Sequence, residues 1–213
     1  MPTLTLSSAK SAENISINGL CYSYKGLEVF RDFSLQAQSK TVVLRGPSGC
    51  GKTTLLKLMS GNLIPDKVGT MPPSENSCLI LQEDSLLPWL TGIENVRLFT
   101  RLSPSRFNNH PMYPLVVDFI GRKACQMSYG QRRLVELFRA VVFKPRFLYL
   151  DEPFNFLDER RIGMVLPFLQ GQFLDGVNLT MSNHHSENIS LLQSADVYSF
   201  DGTFPVCTVQ KVL

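Results

Sequence analysis

A mostly parallel β-sheet flanked by helices is the α/β fold that this sequence predicts, and three observations predict it. Thr41-Val42-Val43-Leu44 is a short apolar run of strand type; it leads into the glycine-rich stretch Gly46 to Thr53, and helical spacing follows through Met59. Further apolar runs at Cys78–Leu81, Phe147–Leu150, Val177–Ser182 and Val197–Phe200 alternate with helical segments, as in a parallel sheet with helices on both faces. Ahead of them, residues 15–45 alternate apolar and polar positions (Ile15, Ile17, Leu20; Phe33, Leu35, Ala37), which reads as an antiparallel strand group.

Taken in order, Lys25-Gly26 is the turn candidate within that first group. Residues 55–60 carry the first helix, and Gly61-Asn62 stops it. Pro65 to Asn76, rich in Pro, Gly and Ser, is loop-like. Thr91 to Leu102 sets Ile93, Val96, Leu98 and Leu102 at helical spacing behind a Thr91 cap. Ser, Pro, Asn and His accumulate around residues 103–114, marking a loop between helices. Gln131 to Phe143 is a long helix with Leu134, Leu137, Phe138, Val141 and Val142 as its apolar face. Residues 159–174 form another helix, bent or interrupted near Pro167.

Composition bounds the function classes. A chain of 213 residues holds one sizeable domain, or one domain with an inserted lobe. Its 44% hydrophobic and 18% charged residues fit a globular protein with a buried core. The net charge of +3 is too small to argue for nucleic acid as a partner. Charge is uneven, however: Arg97, Arg101, Arg106, Arg122, Lys123, Arg132, Arg133, Arg139, Lys144 and Arg146 meet only Asp118 and Glu136 in their stretch. A basic face near a phosphate site or an anionic membrane would account for this, and so would a solvated face. The five cysteines form no C-x-x-C pair or His/Cys cluster, which fits a reducing compartment and neither a disulfide framework nor zinc. Met1 to Asn14 lacks the pattern of a secretory signal, and no apolar stretch reaches the length of a membrane span.

The chemistry is concentrated in Gly46-Pro47-Ser48-Gly49-Cys50-Gly51-Lys52-Thr53, which fits the phosphate-binding pattern G-x-x-x-x-G-K-[ST]. Glycines at three of the first six positions let the backbone curl so that successive N–H groups face phosphate oxygens. Lys52 would reach the β- and γ-phosphates and the Thr53 hydroxyl would ligate Mg²⁺, with Thr54 continuing into a helix whose N-terminus faces the anion. Cys50 reads first as a small-residue filler of the loop, yet its thiol would be exposed beside a bound phosphate, so alkylation there should block nucleotide binding. Downstream, Phe147-Leu148-Tyr149-Leu150 ends in Asp151-Glu152. A buried strand delivers such residues to the same crevice, where Asp151 can hold Mg²⁺ through water and Glu152 can polarise an attacking water.

Met127-Ser128-Tyr129-Gly130-Gln131-Arg132-Arg133 opens the long helix, and here the sequence resembles the ATP-binding-cassette (ABC) ATPases, whose signature reads Leu-Ser-Gly-Gly-Gln. The resemblance covers nearly the whole chain and rests on elements in the family's order. It implies that Tyr24, favoured over Tyr22 because Gly26 follows, stacks on adenine, and that Gln82 ligates Mg²⁺ and senses a membrane partner. It implies that Ser128, Gly130 and Gln131 act as the signature, Leu157-Asp158 as the D-loop, and His184 as the switch histidine at the γ-phosphate. It also implies a P-loop core at about 15–81 and 132–213, bearing an N-terminal antiparallel β subdomain, with a small helical subdomain inserted at 82–131.

This sequence departs from the family at two points. Tyr129 stands where the signature has its first glycine. The switch is ambiguous, since counting from Gly176 favours His184 and counting back from Glu187 favours Asn183. The resemblance implies an ATP- and Mg²⁺-dependent hydrolase that powers transport through separate multi-span permease subunits. Two cassettes, identical or different, would pack head to tail on the cytoplasmic face of the membrane. Leu87-Pro88-Trp89-Leu90-Thr91, followed by Ile93-Glu94-Asn95-Val96, is similar to importers for nitrate, sulfonates and taurine, which would add a substrate-binding protein. The alternative is a degenerate cassette that binds ATP as a regulatory or assembly switch with little turnover. A soluble ABC ATPase acting on nucleic acid or ribosomes needs two cassettes or long coiled-coil insertions, for which 213 residues leave no room.

Overall fold

The computed structural model describes residues 14–100, 107–170, 176–183, 195–201 and 208–211. Strands β1 (Ser16–Tyr24) and β2 (Leu27–Gln36) form an antiparallel hairpin. Lys25 and Gly26 turn it with φ of 51° and 81°, and two positive-φ residues match the right-handed twist of the flanking strands. Single antiparallel bridges from Asn18 to Thr70 and from Cys21 to Lys67 lay part of the 65–76 segment beside β1. The stretch expected as a plain loop therefore covers a strand edge.

The remaining strands are β3 (Thr41–Arg45), β4 (Ser77–Ile80), β5 (Phe147–Asp151), β6 (Asn178–Ser182), β7 (Asp196–Asp201) and β8 (Thr208–Lys211). They form one sheet in the order β4-β5-β6-β3-β7-β8, parallel except for β8, which pairs antiparallel with β7. No strand is expected at β8 from the sequence, because four residues carry too few alternations to stand out.

The helices are α1 (Lys52–Met59), α2 (Gly92–Arg97), α3 (Tyr129–Phe143) and α4 (Glu159–Val165). Helix α3 starts two residues before the apolar pattern indicates, because Ser128 and Gln131 form a capping box. Thr91 and Glu94 form another at α2, which ends at Arg97, short of its expected reach. Helix α4 gives way to a 3₁₀ turn over Leu166–Leu169, where Pro167 has no N–H to continue the α-helical ladder.

Strand alternation divides the apolar side chains of the sheet between two faces. Val42, Leu44, Phe147, Tyr149, Tyr198 and Phe200 pack against α1 and the hairpin. Val43, Leu148, Leu150, Met181 and Val197 pack against α2, α3 and α4. Full burial contributes ~1.5–3 kcal/mol for a Leu or Phe side chain, so the two layers clamp the central strands from both sides. Register then aligns the strand ends: Leu44 pairs with Ser182, Ser182 with Asp151, and Leu150 with Ile80. The segments that follow β3, β4, β5 and β6 emerge side by side at one edge of the sheet.

Candidate functional site

The glycine-rich segment leaves β3 at that edge. Gly46 has φ 143°, and a Cβ there would lie 2.8 Å from the Phe200 carbonyl oxygen and 2.9 Å from the Cys50 sulfur, so only glycine fits. Gly51 is the N-cap of α1 at φ 97°, and no side chain caps the helix. The N–H groups of the first turn are thereby left for an anion. The Cys50 thiol is not exposed as expected; it is 1% accessible and packs in the core on the α1 side of the sheet. It fills space beneath the loop, and direct alkylation beside a bound phosphate is not expected.

Lys52, also buried, donates from Nζ to the carbonyls of Gly46 (2.8 Å) and Pro47 (2.9 Å). The Thr53 hydroxyl donates to Asp151 Oδ2 at 2.7 Å. Ser182, opposite Asp151 on β6, donates its hydroxyl to Asp151 Oδ1 (2.6 Å) and accepts the N–H of Glu152 (2.9 Å). Glu152 stands at φ 48°, a left-handed conformation uncommon outside glycine, and Asn155 Nδ2 donates to its Oε2 at 2.6 Å.

Tyr24, Val29, Ser48, Gly49, Gly51, Lys52, Thr53, Thr54, Gln82 and Glu152 line one crevice of about 270 Å³. Tyr24 is half exposed there, whereas its rival Tyr22 is buried in the hairpin core. Ser128, Gly130, Gln131 and Asp158 do not line this crevice. Ser128 and Gln131 cap each other at the start of α3. Gly130 lies so close to the next segment that a Cβ would come within 2.8 Å of the Phe156 carbonyl oxygen. Asp158 caps α4 through the Arg161 N–H. Asn183 follows β6, buried, with its N–H on the Leu44 carbonyl at 3.1 Å, while His184 lies outside the described residues.

The donor set can be tested against a metal. Thr53 Oγ1 and Asp151 Oδ2 are hard oxygen donors, the type that suits Mg²⁺ rather than a softer ion. Among the described residues, no three His, Cys, Asp or Glu side chains converge. The pair fits a cation that takes its other ligands from phosphate and water.

The basic stretch of the sequence is not a uniform face. Arg133 and Arg139 are buried in α3, Arg133 is paired with Glu136 (3.1 Å), and the less buried Arg132 is paired with Asp84. Burial pulls the Arg139 guanidinium below its ordinary pKa, while neighbouring Glu136 opposes that shift. A second hollow, of about 470 Å³, lies over this region, lined by Gln82, Glu83, Asp84, Tyr129, Arg132, Arg133, Glu136 and Phe156. Ser182, Asn155 and Arg133 are the residues of this neighbourhood that sequence reasoning passed over. A charged pair at i,i+3 among the apolar residues of the helix was the available signal for Arg133; Ser182 and Asn155 carried none of comparable strength.

The family described as ABC transporter matches residues 30–155. The taurine import ATP-binding protein of Yersinia pestis is 35% identical over 159 residues, covering 68% of this chain; this chain spans 62% of that protein's length. A solved ATP-binding subunit of an ABC transporter superposes with a TM-score of 0.79 at 19% identity, covering 94% of this chain and 90% of that one. A dimeric bacterial ABC transporter cassette superposes with a TM-score of 0.75 at 20% identity, covering 93% and 99%.

Proposed function

The chain belongs to the ABC transporter family, and from that membership we propose that it binds and hydrolyses ATP to power transport through separate membrane subunits. The observation that carries the reading is the meeting of Lys52, Thr53, Gln82, Asp151 and Glu152 at neighbouring strand ends. In this reading the Lys52 ammonium exchanges the Gly46 and Pro47 carbonyls for β- and γ-phosphate oxygens, and the Tyr24 ring stacks on adenine. Thr53, Asp151 and Gln82 would hold Mg²⁺, which when bound would supply charge neutralisation to the phosphate oxygens. The Glu152 carboxylate orients a water in line with the γ-phosphate. Either His184 or Asn183 would contact the γ-phosphate; of the two, Asn183 is the one described, directly after β6.

Ser128, Gly130 and Gln131 stand outside the crevice of their own chain, which supports a two-fold arrangement in which they complete the site of a second cassette. A dimeric relative in structure is consistent with it. No helix of the described residues is long and apolar enough to cross a membrane, so permease subunits would carry the passage. The cassette would then lie peripherally on the inner face of the membrane. The taurine-import relative favours an importer; a substrate-binding protein would then supply it.

The test is Mg²⁺-dependent ATP turnover over a range of protein concentrations, beside Glu152→Gln. The variant should keep ATP binding and lose roughly two orders of magnitude or more in turnover. Equal turnover in the two proteins would remove Glu152 from its role, and ATP binding without turnover would favour a switch.

A further inference from the structure

Arg133 lies two residues beyond Gln131 on α3, yet its guanidinium turns inward and is 3% exposed. Nε donates to the Pro153 carbonyl at 3.1 Å. Nη2 donates to the carbonyls of Asp151 (3.0 Å) and Glu152 (2.9 Å). Nη1 donates to the Leu81 carbonyl at 2.8 Å and to Glu136 Oε2 at 3.1 Å. Glu136, itself 1% exposed, takes the N–H and the hydroxyl of Ser85 on its other oxygen, each at 2.7 Å. One buried charge pair thus spans the signature helix, the segment after β4 and three consecutive carbonyls that run through Asp151 and Glu152.

Such a pair is a poor way to gain stability. Desolvation offsets much of the attraction, and an apolar pair of similar volume often serves as well or better. Much of the buried part of this helix is already apolar, with Leu134, Leu137, Phe138 and Val141 in the core; Arg139, also buried, flanks the pair and donates to the Ser85 hydroxyl at 2.6 Å. What hydrophobic side chains could not do is hold those carbonyls. Glu152 needs them held, because its left-handed backbone persists only where the surroundings over-determine it. Ser182 fixes the peptide on the N–H side of Glu152 and Arg133 fixes the carbonyl side. The same guanidinium also holds Leu81, the residue before Gln82.

We propose that Arg133, with Glu136 as its counter-charge, is a positioning residue that aims the Glu152 carboxylate for hydrolysis and ties that aim to the Gln82 segment. The assignment rests on the hydrolase reading above. Arg133 does not line the phosphate crevice, so its removal should act on turnover and spare nucleotide affinity.

The test uses the full chain with Arg133→Gln, Arg133→Lys, and the double variant Arg133→Met with Glu136→Met, which leaves neither charge of the pair facing the loss of the other. Melting reads the cost to buried Arg139, which loses its neighbour Glu136 in the double variant. Fluorescent-nucleotide binding, thermal melting, KM and kcat are measured on each, beside the parent and Glu152→Gln. Arg133→Gln and the double variant should bind nucleotide within about threefold of the parent while kcat falls roughly ten- to a hundredfold, with Arg133→Lys intermediate. A folded double variant whose kcat stays within about twofold of the parent would overturn the role, as would a fall in kcat matched by an equal loss of binding. Failure of the hydrolase reading is distinguishable: the parent itself would then show no turnover above Glu152→Gln, and this role would fall with it.

Discussion

Two regions meet at the start of α3 and are built in opposite ways. Beneath the helix, Arg133, Glu136, Asp151 and Ser182 are all at most 3% exposed and are joined by directed hydrogen bonds. On its outer side, Tyr129 and Phe156 are 63% and 59% exposed, their ring centroids 5.4 Å apart, and the Arg132 guanidinium sits 4.3 Å from the Tyr129 ring. The inner region holds atoms in place, because a buried polar group that loses its partner keeps the full cost of desolvation. The outer region is a ledge half in water, where a change costs the single chain little and acts chiefly on whatever meets it. In the proposed reading, geometry for chemistry belongs to the first region, and contact with a second cassette to the second.

That contrast can be broken in order of expected effect. At the crevice, Lys52→Ala removes the lysine that, among the described residues, lines it and should weaken ATP binding roughly ten- to a hundredfold, since hydrogen bonds to charged groups contribute ~1.5–3 kcal/mol. Nucleotide titration reads this directly, and unchanged affinity would separate the crevice from phosphate binding. In the inner region, Ser182→Ala strips a donor from Asp151 and an acceptor from the Glu152 N–H. It should destabilise the chain by about 1–3 kcal/mol in a denaturant melt and lower turnover. A neutral result would show that water substitutes for the hydroxyl and that the inner region is less closed than its bonds indicate.

On the ledge, Tyr129→Gly should leave ATP binding to the isolated chain unchanged and cost no more than about 1–2 kcal/mol, from lost stacking and from glycine in a helix. Its effect should appear in how turnover depends on protein concentration. A larger destabilisation would make the ledge part of the core. Asp196, remote from both regions, serves as a reference. Burial pushes its carboxyl pKa up, but Lys211 and the N–H groups of Gln38 and Ser39 outweigh this and hold it below the ordinary value. A carboxyl lowered on folding contributes stability above its unfolded pKa and loses it as pH falls through the folded value. Asp196→Asn should therefore flatten the acid limb of the stability profile slightly, without touching ATP binding.

Much of the fold was legible because it depends on local patterns. The β1–β2 turn at Lys25-Gly26 and the break at Pro167 follow from backbone preferences that act within a few residues. Lys52, Thr53, Gln82 and Glu152 line the crevice because their motifs follow parallel strands whose ends lie together, whereas Tyr24 lines it from the end of β1 in the separate antiparallel hairpin. Other features were not legible. The Cys50 thiol was expected to be exposed and Arg133 to belong to a basic face, because a thiol inside a loop motif and an arginine in a basic run carry no mark of burial. Strand β8 and the bridges to β1 were missed because pairing is decided by the partner strand.

The sequence by itself determined which residues form the glycine-rich loop, where its flanking strand and helix lie, and in what order the Ser128–Gln131 motif and the two carboxylates follow. Those features are set by glycine, proline and apolar periodicity, which act along the chain. Only the tertiary structure decided that Arg133 closes on Leu81 and on the carbonyls of Asp151 to Pro153, that Ser182 bridges Asp151 and Glu152, and that Cys50 lies beneath the loop. The physical reason is separation: these partners lie far apart in the chain, and only packing of the two core layers brings them within hydrogen-bonding distance.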